Sequence, residues 1–146
     1  MKKDYLKYWR PVRQYIKVKH GLSEAELDML IFLYSEKYFG HKDFNEYNAI
    51  LTWDKDRWKK LRRNGWIDMY RDYNRATMEK AIYKLSRKAN QVVKSVYDML
   101  EGKDIPIGSK TNPMFRRNAS YTDKVFRHFI SNLTKETRRL QHRSRE

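Results

Sequence analysis

The chain has no cysteine, which excludes a disulfide framework, a thiolate zinc site and a cysteine redox sensor together. Glycine is scarce, at 5 residues in 146, and none sits in a phosphate-cradling loop. No apolar run is long enough to cross a bilayer. Met1-Lys2-Lys3 leads into Asp4 and mixed polar and aromatic residues, not an apolar signal core, so the plain reading is a cytosolic protein. His20, His41, His128 and His142 are scattered, without ligand spacing to carboxylates, and no metal site is expected. No nucleophile motif appears, and the acidic residues are dispersed among cations. The reading is of a protein without enzymatic activity and without a cofactor.

What the chain does have is positive charge and aromatic rings. Lys and Arg number 33 against 18 Asp and Glu, a formal net charge of +15. Such a surplus favours a polyanionic partner, nucleic acid ahead of an anionic membrane or an acidic protein. With 11 Tyr, 6 Phe and 4 Trp the core is aromatic-rich. A chain of this length buries roughly two-thirds of its unfolded surface, so a core without staples suffices. Tyr5, Tyr8, Trp9 and Tyr15 could form a stacking platform for single strands, but their helical spacing marks them as core or interface residues.

Periodicity divides the chain. Asp4–Val18 reads as a helix with Tyr5, Tyr8, Trp9, Val12 and Ile16 on one stripe; Pro11 either kinks it or begins it, and Gly21 ends it. Ser23-Glu24-Ala25-Glu26 is a capping box opening a helix through about Tyr38, with Leu27, Leu30, Ile31 and Tyr34 inward. Asp43 or Asn45 can cap a short helix with Phe44, Tyr47, Ile50 and Leu51 inward, and Thr52-Trp53 turns the chain. Asp54 then caps a basic helix that leaves through Asn64-Gly65. Trp66–Asp72 and Ala81–Leu85 alternate as strands around the turn residues Asp72–Ala76, with Thr77 as the earliest start of the second strand. Ser86 caps a helix with Ala89, Val92, Val93, Val96, Tyr97 and Leu100 inward, and Glu101-Gly102 stops it. Lys103–Asn118 lacks periodicity. From Ser120 a last helix carries Val125, Phe126, Phe129, Ile130 and Leu133, then a basic tail with Arg138, Arg139, Arg143 and Arg145.

This order predicts a mainly α fold with a small β-hairpin wing: a winged helix-turn-helix with N- and C-terminal helices. Residues 1–101 would hold the winged helix with its N-terminal helix. Residues 102–119 would be a linker or extended arm, and 120–146 a C-terminal helix for packing or dimerisation. In the basic helix, Trp58 and Leu61 face inward. Lys55, Lys59 and Arg62 share one outer face, with Lys60 and Arg63 beside it. Arg57 sits in the first turn, where base edges are met; arginine can grip guanine bidentately, whereas lysine more often holds phosphate. Arg71 and Arg75 at the wing tip suit a backbone or minor-groove contact. Asp56 would repel phosphate unless it accepts from cytosine or pairs with Lys60. These residues, with double-stranded DNA as partner, form the candidate interface. Val125, Phe126, Phe129, Ile130 and Leu133 are the candidate dimerisation face, chosen over packing within their own domain.

The plan, with the recognition helix running into Gly65-Trp66-Ile67 and the wing leaving through Leu85-Ser86-Arg87-Lys88-Ala89, resembles the MarR-like winged-helix regulators over about residues 5 to 100. The segments Asn112-Pro113-Met114-Phe115 and Ser120-Tyr121-Thr122-Asp123-Lys124-Val125 are similar to small winged-helix proteins of tailed phages. The resemblance implies a dimeric DNA-binding transcriptional regulator of a bacterial or phage-infected host cytoplasm. The interval from Ile50 to Gly65 is about one helical turn shorter than usual in that family, and Gly102 interrupts what is often a long dimerisation helix. The alternative is an adaptor in a polymerase, replication or virion assembly that contacts nucleic acid without reading sequence.

Overall fold

The computed structural model describes residues 5–145, with side chains through Leu140. Asp4 and the side chains of Arg143 and Arg145 lie outside the described residues. The chain falls into two compact units, Ser23–Lys94 on the one hand and the segments up to Leu22 and from Ser95 on the other. The N-terminal helix falls in the unit that holds the C-terminal helix.

In the first unit, α2 spans Glu24–Glu36 and begins as the sequence implies. Ser23 Oγ accepts from the Glu26 amide and Glu26 Oε1 from the Ser23 amide, both at 3.1 Å. Two otherwise orphaned donors are satisfied reciprocally. Leu27, Met29, Leu30 and Leu33 are fully buried, each such side chain contributing about 1.5–3 kcal/mol by leaving water. Lys37 then turns to φ 66° and ψ -68°, outside the helical region, and breaks the helix before the expected end at Tyr38. Tyr38–Phe39 becomes a short strand, β1, that periodicity did not reveal. α3 covers His41–Asn48. Its cap lies earlier than expected, at Gly40, whose amide donates to Asp43 Oδ2 at 2.8 Å.

α4, Arg57–Arg63, spans seven residues, in keeping with the short interval before Gly65. It closes in a Schellman motif: the Trp66 amide bonds Leu61 O at 2.9 Å and the Gly65 amide bonds Arg62 O at 3.2 Å. Gly65 at φ +79° supplies the left-handed step that a side chain would strain. β2, Ile67–Arg71, and β3, Ile82–Leu85, follow. The sheet is antiparallel in the order β1-β3-β2, with Ile67 opposite Leu85, Met69 opposite Tyr83, and a bulge before Arg71. Three helices before a hairpin, with a short strand completing the sheet, make a winged helix-turn-helix.

α5 runs from Arg87 to Leu100. Ser86, itself buried, accepts from the Ala89 amide at 3.2 Å, fixing where wing becomes helix. Ser86→Ala removes this cap and should lower stability by about 1 kcal/mol; a denaturant midpoint equal to the wild type's would show that the bond does not hold the helix start.

In the second unit, α1 spans Tyr5–His20 and α6 spans Tyr121–Arg145, and the two pack together. α1 runs through Pro11 without ending there. The segment read as a linker is folded against these helices. Gly102 ends α5 with φ +115°, and a 3-10 turn forms at Pro113–Phe115. Asn112 is fully buried; its Nδ2 donates to Pro106 O at 2.7 Å and its Oδ1 accepts from the Met114 amide at 3.0 Å. The Arg127 guanidinium donates to Met114 O and Arg116 O. Met114 and Ile105 are buried, so this is an arm laid on its own unit.

Candidate nucleic-acid interface

α4 is seated by its apolar residues. Leu61 is fully buried. Trp58 stacks on His41 at 4.3 Å between ring centroids and meets Phe44 and Tyr83 edge-on at 4.9 and 4.7 Å. Helix α3 and strand β3 therefore both grip it, and each such aromatic contact adds about 0.5–1.5 kcal/mol beyond area burial. At the far end, Lys88 Nζ donates to Asn64 O at 2.8 Å and lies 4.0 Å from the centre of the Trp66 ring. A cation thereby meets the carbonyl end of α4. Periodicity gave no sign of this role for Lys88.

The outer side chains sort into three kinds. Lys55, Lys59 and Arg63 are exposed. Arg62 is exposed but its guanidinium lies 5.1 Å over the Tyr83 ring, and Lys60 is tied to Asp54 Oδ2 at 3.2 Å. Asp54 also accepts from the Asp56 amide at 2.9 Å. That backbone bond first, and Lys60 second, hold the Asp54 carboxyl below its usual range. Its contribution to the turn is thus present above the ordinary carboxylate pKa and fades as pH falls through the lowered one.

Arg57 does not reach the groove side. It is 4 % exposed; one guanidinium nitrogen donates to Asn48 Oδ1 and the other to Thr52 O at 2.6 Å. Asn48 Nδ2 in turn donates to Asp54 O at 3.3 Å. The arginine expected to read guanine thus fills the inside of the α3–α4 turn. Ile50, expected inward, stands outside in the same segment, as does Trp53, 75 % and 72 % exposed.

The wing is longer than the sequence suggested. Asn74 bridges to Glu79, so the reversal lies at residues 75–78 and not at Asp72–Ala76. Asn74 Oδ1 accepts from the Ala76 amide at 3.0 Å, and Met78 takes φ 58°. Arg75 stands in this turn, exposed. Arg71 lies back at the end of β2, where it pairs with Glu79 at 3.6 Å, and is not at the tip. Lys80, which no local pattern marks, is exposed at the wing's return.

The candidate dimerisation row also divides. Ile130 and Leu133 are buried in their own unit, Phe126 is half-buried, and Val125 and Phe129 remain 53 % and 42 % exposed. Tyr121 and Leu140 are exposed along the same helix. Among the described residues no cluster of His, Asp or Glu could hold a metal ion, and no helix is long and apolar enough to cross a membrane.

Among solved structures, the chain is similar to reduced AbfR bound to DNA, at 17% sequence identity and a TM-score of 0.43, over 63% of this chain and 70% of that one. No family model matches the chain, and no curated protein does.

Proposed function

We propose that the chain is a double-stranded DNA-binding transcriptional regulator of the MarR-like winged-helix kind, acting as a dimeric repressor. The observation that carries this is the outer face of α4 and the turn before it: Lys59, Arg62 and Arg63 on the helix and Lys55 just ahead of it are all exposed, while Trp58 and Leu61 anchor the helix. Cations so placed displace counterions from the phosphate backbone and give salt-sensitive affinity. With Arg57 inside the turn, base reading falls to Arg62, Arg63 and Lys59, and Arg75 supplies the wing contact. The exposed row Tyr121, Val125, Phe129 and Leu140 is the surface offered to a second copy. Two-fold pairing would set two α4 helices roughly 34 Å apart along the duplex, and repression follows by occlusion.

Selection from a randomised duplex pool at about 0.15 M salt, where long-range attraction is screened, tests this. Recovery of an inverted repeat is the expected result. Two observations favour a second reading: the burial of Arg57 and the seven-residue length of α4 leave few side chains for base edges. An adaptor in a polymerase or phage assembly, binding duplex by charge and shape alone, would retain DNA in that selection without enriching any sequence.

A further inference from the structure

The larger share of the chain's +15 lies outside the winged-helix unit. In the second unit, residues 110–135, which include the 3-10 turn, hold six Lys and Arg against one Asp. Between Lys110 and Lys135 the sole acidic residue in sequence is Asp123. Asp123 is buried, with Oδ1 accepting from Gln14 Nε2 at 2.9 Å, and is not on the surface beside the cations. Lys110, Arg116 and Arg117, next to the 3-10 turn in sequence, and Lys124 on α6, against which that turn packs, are all exposed. The end of α1 joins them: Tyr15 OH donates to Thr111 O at 3.5 Å and receives Lys19 Nζ at 2.9 Å.

Several features show that this patch is built and not merely solvated. The loop beneath it is fixed by buried Asn112 and by Arg127, which uses its own donors on the Met114 and Arg116 carbonyls. Lys124 sits in the first turn of α6, where a cation opposes the helix dipole and adds to the same positive field. Like charges held together on a rigid loop repel one another, and a polyanion relieves that repulsion by replacing many loose counterions at once.

We propose that Lys110, Arg116, Arg117 and Lys124 form a second nucleic-acid contact that takes backbone phosphates without reading sequence. It rests on the DNA-binding reading for its partner, but not on α4 for its residues. Loop cations of this kind require no groove geometry, so the contact is indifferent to base sequence.

The experiment compares the full chain with the triple variant Arg116→Gln, Arg117→Gln, Lys124→Gln, titrating a non-specific duplex of about 40 base pairs over roughly 50–200 mM salt. Each lost phosphate contact flattens the slope of log affinity against log salt by about 0.9. The triple variant should therefore lose about two to three units of slope and bind roughly tenfold more weakly at low salt, with its unfolding midpoint unchanged. An unchanged slope, with wild-type binding intact, overturns the second contact and leaves the α4 reading standing. Absence of wild-type binding to any duplex overturns both. Capture of a poly-glutamate chain by the wild type but not by the variant, without any change in duplex slope, assigns the patch to an acidic protein partner and likewise overturns the proposal.

Discussion

Exchange of Lys59 and Arg63 for glutamate is expected to weaken duplex binding about a hundredfold at roughly 0.1 M salt, while the urea midpoint of unfolding stays where it is. Both side chains are exposed on α4, so neither contributes core contacts. Each substitution removes a cation and sets a like charge against phosphate. Replacement by alanine should have a smaller effect and flatten the salt slope by about one unit per phosphate contact. Equilibrium titration by fluorescence anisotropy, with thermal or urea unfolding in parallel, separates loss of contact from loss of fold. Wild-type affinity in the double glutamate variant would move the interface away from α4.

Arg57 should behave in the opposite way. Its guanidinium bridges Asn48 and Thr52 across the α3–α4 turn. Arg57→Ala leaves both acceptors unsatisfied, and Asn48 no longer braces the segment up to Asp54. Hydrogen bonds to a charged group count for about 1.5–3 kcal/mol each, offset by the cost of keeping the charge out of water, so a net loss of about 3 kcal/mol is expected. That is a large part of a typical domain's stability. Arg57→Lys keeps the charge but cannot bridge two acceptors with a planar fork, and should recover only part of the loss. Denaturant unfolding measures both. The folded fraction of Arg57→Ala should keep the wild type's base preference. An unchanged midpoint with an altered preference would instead put the guanidinium in the groove.

The contrast between Arg57 and Lys59 marks what sequence can and cannot convey. Local devices were legible. The Ser23–Glu26 box, the Ser86 cap, the Gly65 exit and the existence of β2 and β3 each depend on residues within a few positions of one another, and each is present, although the burial of the two strands does not alternate. What depended on distant partners was not legible. Tyr38–Phe39 is a strand only because Tyr83 and Lys84 lie beside it. Arg57 is inside only because the Asn48 side chain and the Thr52 carbonyl converge there. Helical periodicity places it on a face but cannot say that a carbonyl waits under that face.

The wing and α6 show the same limit in other forms. Asp72–Ala76 has turn chemistry, yet the pairing of Asn74 with Glu79 carries the hairpin further and draws Arg71 back into an exposed pair, a contact of about 0–1 kcal/mol. On α6 the apolar residues looked like one stripe. At 3.6 residues per turn Ile130 lies about 100° around the helix from Phe129 and about 140° from Val125, which sends Ile130 inward and leaves Val125 and Phe129 outward. The width of a stripe reveals that a helix packs, not how many surfaces share it.

Lysine reactivity mapped by mass spectrometry, with and without a saturating duplex, tests most directly whether the outer face of α4 meets DNA. Lys59 on α4 and Lys55 just before it are expected to lose reactivity on binding, joined by Lys110 and Lys124 if the loop patch also engages, while Lys94 keeps its own. Bound duplex with Lys55 and Lys59 as reactive as in the free protein would contradict it.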